Sequence, residues 1–175
     1  MLKRAGAVPV NMPGRELYGA LQTGSIDAAE WVGPVNDLAF GLHKVAKYYY
    51  YPGWHEPGSN MEFLINKDAF DNLPKDLQAI VKTAARAINQ DMLDEYTTRN
   101  VSALETLVKE EGVELKAFPS AVLTELERIS QQVIAEQAQQ DPMMDKVYRA
   151  YHAYEQGVRE YHKISEDAYS QQRQH

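Results

Sequence analysis

The sequence contains no cysteine. This absence excludes a disulfide scaffold, a thiol nucleophile and a zinc site with cysteine ligands, although it does not select a cellular compartment. Long apolar runs are also missing, and nothing approaches the roughly 20 residues of a membrane-spanning helix. The apolar stretch 5–10 is shorter than the about 7–15 residues of an export signal. We therefore expect no signal peptide in this chain.

Basic residues are too few for a nucleic-acid partner. The formal net charge is -7, with 18 basic and 25 acidic side chains, and no Lys/Arg block forms a local basic face. Phosphate binding requires such a face. The chain also lacks a glycine-rich phosphate loop and a nucleophile-elbow motif. Its length of 175 residues suits one compact domain.

Turn-forming proline–glycine pairs divide the first third of the chain into short α/β units. Such pairs stop both helices and strands, and Gly24 stands where a left-handed helix cap belongs. Apolar spacing and β-branched or aromatic content predict the elements between these stops. We expect helices over 15–23 and 36–46, and strands over 28–32, 47–51 and 61–65.

Long helices are expected after Pro74. No glycine or proline interrupts the apolar stripe before Gly112, which predicts a long helix over 74–111. A short strand over 113–118 and a helix starting at Ser120 follow. The pair Asp141-Pro142 is a helix cap and first-turn residue, and it predicts a terminal helix over 142–172.

The terminal helix carries an aromatic seam. Apolar residues alternate four and three apart at Val147, Tyr151, Tyr154, Val158 and Tyr161, a heptad-like spacing. Such a seam is more typical of a core or a subunit contact than of a cofactor site. The spacing alone leaves open whether it packs within its own chain or against another.

Two loops hold the candidate site residues. Trp54, His55 and Glu56 combine aromatic and polar groups, as small-molecule pockets do, and His55 and Glu56 lack the i, i+4 spacing of a helical zinc site. Glu30 and Trp31 lie near the end of the predicted strand 28–32, just before Gly33-Pro34. A carboxylate there coordinates a cation through oxygen, although a lone acid in this position is more often solvated or capping.

Two strings of residues carry a family resemblance. Residues 19–34 (GALQTGSIDAAEWVGP) and 47–56 (KYYYYPGWHE) resemble TRAP transporter solute-binding proteins of the DctP-like family, in the branch that binds 2-oxo acids and lactate. The resemblance implies an α/β fold: the carboxy-terminal part of a two-lobed, type II periplasmic-binding-protein-like receptor with long C-terminal helices. Residues 1–175 would then be its C-terminal portion, without the N-terminal lobe and signal peptide.

The resemblance also implies a function and roles for named residues. The receptor would capture a small organic acid in the periplasm and deliver it to the membrane permease of the TRAP transporter, with no catalytic cofactor. Glu30 resembles a ligand of a sodium or calcium ion through its carboxylate, and Trp31 through its backbone carbonyl. The substrate-binding positions would be Trp31, Trp54, His55 and Glu56. The cation would neutralise the acid's carboxylate in a dry cleft.

Two further expectations follow from the resemblance. The family's substrate-binding arginine is expected upstream of this sequence, and Arg4 does not match its motif. We therefore expect the chain alone to bind pyruvate or lactate weakly or not at all. Some relatives resemble dimers that exchange their terminal helix. We expect residues 142–169 to dock on a second copy, forming a homodimer, or across both lobes.

Two other classes of function compete with the receptor. One is a helical interaction module, in which residues 74–175 pair with a partner without any ligand. The other is a metal-dependent enzyme that uses Glu30, His55 and Glu56. We favour the receptor and predict no enzymatic activity.

Overall fold

The computed structural model describes residues 1–56, 58 and 62–173. The chain forms two compact units, which are described separately. The central unit comprises Pro9–Pro119, and the terminal unit comprises Met1–Val8 with Ser120–His175. Within the described residues, no helix is both long enough and apolar enough to cross a bilayer.

The central unit contains most of the short elements predicted from the sequence. Its helices are α1 (Gly14–Thr23), α2 (Pro34–Ala39), α3 (Lys67–Asp71) and α4 (Lys75–Lys109), and its strands are β1 (Tyr48–Tyr51) and β2 (Glu114–Ala117), with a 3-10 turn at Leu42–Lys44. The strands pair in parallel, with Tyr48 opposite Glu114 and Tyr51 opposite Ala117. Parallel neighbours need a crossover connection, and here α3 and α4 provide it. This mixture confirms the expected α/β class.

The core of the central unit is formed by side chains from α1, the 3-10 turn, α4 and the residue before β2. Its buried apolar side chains are Leu17, Leu42, Ala103, Leu107 and Val113. The chain turns at Gly112, whose φ of +70° lies in the left-handed region that favours glycine. This turn brings Val113 back to α4, where its N–H donates to the carbonyl of Leu107 at 2.9 Å.

The long helix α4 begins with a buried polar contact. The side chain of Gln78 is enclosed, and its amide donates to the carbonyl of Leu73 at 2.8 Å. Helix ends leave carbonyl groups without partners. The contact gives the carbonyl of Leu73, between α3 and α4, a hydrogen-bond donor. The predicted start near Pro74 and stop before Gly112 agree with the observed bounds Lys75–Lys109.

The terminal unit is a helical assembly. It contains a 3-10 turn at Leu2–Ala5 and helices α5 (Ser120–Gln140), α6 (Pro142–Ile164) and α7 (Glu166–Gln172). Helices α5 and α6 pack against each other, and Ile129 and Ala138 of α5 are buried. The side chain of Asp141 accepts the N–H groups of Met143 at 2.7 Å and Met144 at 2.9 Å, which confirms the predicted cap.

The continuous helix expected over 142–172 is divided at Ser165. The hydroxyl of Ser165 donates to the carbonyl of Tyr161 at 2.9 Å, and the backbone of Ser165 leaves helical geometry. Serine hydroxyls compete with helical hydrogen bonding in this way. The aromatic seam of α6 faces outward, with Tyr151, Tyr154 and Tyr161 exposed by 66%, 74% and 65%.

Three local predictions need correction. Residues 28–32 form no strand, because no described segment pairs with them. The helix predicted over 36–46 is instead α2 followed by the 3-10 turn, since Gly41 adopts a φ of +68°. The strand predicted over 61–65 is not formed at 62–65, and Met61 lies outside the described residues.

Candidate functional site

Two loops of the central unit bring three potential ligand groups together. Glu30, His55 and Glu56 each place one ligand atom so that all three lie within 4.8 Å of one another. Nε2 of His55 lies 3.4 Å from Oε2 of Glu30. The sequence predicts a role for each residue, yet it groups the three only in the enzyme hypothesis. The fold joins them because loop 24–33 and loop 52–56 approach each other.

The geometry of this cluster fits one hard cation. Calcium–oxygen bonds measure about 2.3–2.6 Å, so two ligands on opposite sides of one ion lie about 5 Å apart. The 4.8 Å span therefore allows a single ion to contact all three groups. Calcium and sodium prefer oxygen over imidazole nitrogen. Glu30 and Glu56 are thus better suited as cation ligands than His55.

Trp31 is anchored beside the cluster by its indole ring. Its ring centroid lies 5.0 Å from that of Phe40, at the end of α2. The indole nitrogen is buried and has no hydrogen-bond partner among the described residues. The side chain of Trp31 is therefore engaged in an aromatic contact.

Trp54 lies against His55. Their ring centroids are 4.5 Å apart with an interplanar angle of 46°. The side chain of His55 is 30% exposed, and Trp54 is half-buried. An aromatic surface beside a polar imidazole is the arrangement that small-molecule sites use to bind and orient a ligand.

A buried polar pair ties α2 to β1. The carboxylate of Asp37 is buried and accepts a hydrogen bond from the Tyr49 hydroxyl. Burial raises the pKa of Asp37, the Tyr49 hydrogen bond opposes this rise, and the charge of Glu30 adds to it. Burial, followed by the bond to Asp37, raises the pKa of Tyr49. Sequence reasoning missed this pair, since an acid within a predicted helix carries no signal of burial.

Helix α2 is capped by a residue of α4. Gly33 precedes the helix and has no side chain to cap it. The N–H of Val35 instead donates to Oδ1 of Asn100 at 3.1 Å. This bond satisfies a backbone group that a helix start leaves free. It also fixes the end of the segment that carries Glu30 and Trp31.

Arg4 belongs to the terminal unit and is paired there. Its Nη1 donates to Oε1 of Glu136 at 2.9 Å, and its Nη2 contacts the other carboxylate oxygen. The hydrogen bond to Glu136 raises the pKa of Arg4 and lowers that of Glu136. This two-point geometry is typical of an arginine–carboxylate pair. The guanidinium of Arg4 is therefore paired with Glu136.

The chain matches a known family and is similar in sequence to a known protein. Residues 1–141 match the family described as bacterial extracellular solute-binding protein, family 7 (DctP). The chain is 37% identical over 169 residues to the monocarboxylate 2-oxoacid-binding periplasmic protein of a Nostoc species. That alignment covers 97% of this chain and 46% of the Nostoc protein.

The solved structures that resemble this chain are also solute-binding proteins. The chain is similar to a TRAP periplasmic solute-binding protein of Colwellia psychrerythraea with bound calcium and pyruvate, at a TM-score of 0.92 and 38% identity, covering 98% of this chain and 52% of that one. It is also similar to a TRAP solute-binding protein of Bordetella bronchiseptica, a mixed-occupancy dimer with calcium and picolinate, at a TM-score of 0.91 and 33% identity, covering 97% and 50%. The chain thus spans about half the length of these relatives.

Proposed function

We propose that this chain forms the cation-holding part of a receptor for a small organic acid. The chain belongs to the DctP family of bacterial extracellular solute-binding proteins. The observation that carries the proposal is the convergence of Glu30, His55 and Glu56 within 4.8 Å. In the proposed site, the carboxylates of Glu30 and Glu56 and the backbone carbonyl of Trp31 hold one calcium or sodium ion.

The chemistry of the site supports capture of an anion. A carboxylate taken out of water is costly unless it is paired, and a bound cation is the largest local charge that can pair with it. Oxygen ligands from Glu30 and Glu56 suit calcium. Trp54 and His55 would then form the wall against which the acid lies, with Trp54 contributing apolar surface.

The ligand class follows from the chemistry shared by two relatives' ligands. Pyruvate and picolinate each carry one carboxylate with a second donor atom on the adjacent carbon, an oxo oxygen or a ring nitrogen. Such a pair can chelate one cation through two atoms. We therefore assign this chain to acids with a donor next to the carboxylate, a class that includes 2-oxo acids and lactate.

Transport and assembly complete the proposal. The family's name places its members outside the cytoplasm, and we propose periplasmic capture followed by delivery to the permease of a TRAP transporter. We also propose that this chain forms a homodimer through α6. The exposed tyrosines Tyr151, Tyr154 and Tyr161 support this part of the proposal, because exposed apolar patches mark interaction surfaces.

Calorimetric titration with calcium tests the cation site. We expect the chain to bind calcium, and we expect Glu30→Gln to weaken binding about tenfold or more, since ligand charge sets calcium affinity. Glu110→Gln, an exposed carboxylate at the end of α4, is the matched control and should bind as the unmodified chain does. Equal affinity in the Glu30→Gln variant, or no binding by the unmodified chain, would contradict the proposal.

The two competing classes make different predictions. A metal-dependent enzyme would consume pyruvate in the presence of calcium, which proton NMR of the free acid detects directly. A helical interaction module would associate equally with and without calcium and acid. Receptor function predicts an unchanged acid and a calcium-dependent change in tryptophan fluorescence, because Trp31 and Trp54 flank the cluster.

A further inference from the structure

Gly14 and Trp31 approach each other so closely that only glycine fits. A Cβ built at position 14 would lie 2.3 Å from Cη2 of Trp31, 2.8 Å from Cζ3 and 2.9 Å from Cζ2. Carbon atoms in favourable contact are about 3.5–4.0 Å apart. The six-membered edge of the indole therefore occupies the space that any side chain at position 14 would need.

The backbone conformation does not explain this glycine. Gly14 is the first residue of α1 and is not among the residues with positive φ, so alanine could adopt its backbone geometry. Alanine is also a better helix former than glycine. Gly19 provides a contrast in the same helix, since a Cβ there would meet nothing within 4 Å. Close contact with Trp31 is thus the feature that requires glycine at position 14.

The indole of Trp31 also packs against the ring of Phe40. The two ring centroids are 5.0 Å apart with an interplanar angle of 50°. The indole of Trp31 therefore contacts both the start of α1 and the end of α2. We call the space bounded by Gly14 and Phe40 the indole slot.

The indole slot is relevant to the site because the segment around Trp31 has no regular backbone hydrogen bonding. Residues 28–32 form neither helix nor strand, so no regular hydrogen bonding fixes the peptides next to Glu30. Downstream, the segment is held where Val35 donates to Asn100. Nearer to Glu30, the indole of Trp31 contacts Gly14 and Phe40.

We propose that Gly14 is a positioning residue for the cation site: by seating the Trp31 indole, it sets the position of the Trp31 carbonyl and the adjacent Glu30 side chain. This inference rests on the proposed function. A Cβ at position 14 would displace the indole by about 1 Å. Binding sites lose function when their ligand groups move by more than about 0.5 Å.

The first test compares Gly14→Ala with Gly19→Ala. We expect Gly14→Ala to weaken calcium binding about tenfold, because site rigidity and geometry set calcium affinity. Gly19→Ala should leave it unchanged within about twofold, since its Cβ is unhindered. In a Trp54→Phe background, which leaves Trp31 as the sole tryptophan, Gly14→Ala should also shift the emission and increase acrylamide quenching, while Gly19→Ala should not.

A double-mutant cycle separates positioning from a general loss of structure. Trp31→Leu keeps the backbone carbonyl and empties part of the indole slot. In this background we expect Gly14→Ala to change calcium affinity by less than about twofold, because coupled neighbours are non-additive. An equal loss of affinity in both backgrounds, or Trp31 emission and quenching unchanged by Gly14→Ala, would overturn the inference.

The two proposals fail in distinguishable ways. If the unmodified chain binds no calcium, the proposed function fails and the positioning role fails with it. If the unmodified chain binds calcium and Gly14→Ala binds it equally well, the positioning role alone is overturned.

Discussion

The hydroxyl of Tyr49 donates a hydrogen bond to the buried carboxylate of Asp37, and this bond joins β1 to the first turn of α2. Helix α2 follows the segment that carries Glu30 and Trp31, and β1 precedes the loop that carries His55 and Glu56. The pair therefore connects the elements next to both halves of the candidate site. A carboxylate this enclosed requires a partner, because burying an unpaired polar group is costly.

Tyr49→Phe removes the donor and leaves the carboxylate of Asp37 buried. We expect the free energy of unfolding to fall by about 1–3 kcal/mol, the usual cost of an unsatisfied buried group. Urea denaturation followed by circular dichroism measures this change. Tyr51→Phe, at a more exposed position of the same strand, should have little effect. Equal stability of both variants would show that the Tyr49 hydroxyl contributes nothing.

Asn100→Ala tests the cap that α4 provides to α2. The loss of the acceptor for the Val35 N–H should lower the free energy of unfolding by about 1 kcal/mol, as the loss of a helix cap usually does. Asn89→Ala, on an exposed position of the same helix, should instead be neutral or slightly stabilising, because alanine has the higher helix propensity. A destabilisation of the same size in both variants would contradict the capping role.

The ion pairs of Glu114 should make the free energy of unfolding depend on pH in acid. It lies 2.8 Å from the ammonium group of Lys116 and 2.7 Å from that of Lys47, and the hydrogen bond to Lys116, followed by that to Lys47, lowers its pKa from 4.5 to about 2. A carboxylate with a lowered folded-state pKa stabilises the fold fully above its unfolded pKa, and the contribution is lost as the pH falls through the folded pKa.

The measurement is the stability difference between the unmodified chain and Glu114→Gln at several pH values. We expect the difference to be constant above pH 4.5 and to shrink as the pH falls toward 2. The effect should be small and weakened by salt, because the pair is solvent-exposed. Glu110→Gln serves as the control. A difference that grows on acidification would contradict the ion-pair explanation.

The aromatic seam of α6 predicts a change in oligomeric state. Replacing the exposed Tyr151 and Tyr154 together with serine removes apolar area, and the hydrophobic contribution is about 25 cal/mol per Å² buried. We expect the mass measured by light scattering to fall from dimer to monomer, with helical content retained. Gln156→Ser, also on the exposed surface of α6, should leave the mass unchanged. A monomeric unmodified chain would contradict the dimer.

Features that depend on neighbours along the chain can be located from residue type and spacing alone. The cap at Asp141, the start of α4 after Pro74 and the stop at Gly112 are local backbone effects, so spacing and residue type located them. The aromatic run Tyr48–Tyr51 likewise predicts strand β1. The family resemblance carried by residues 19–34 and 47–56 is confirmed by the match over residues 1–141.

Contacts between distant segments, in contrast, become visible in the folded chain. Residues 28–32 resemble a strand, yet a strand forms only where a partner supplies hydrogen bonds. The same packing joins Glu30 to His55, gives α2 its cap from Asn100, and places Gly14 against Trp31. Each of these contacts links residues far apart in sequence. Local periodicity cannot specify them, because they depend on how whole elements pack against one another.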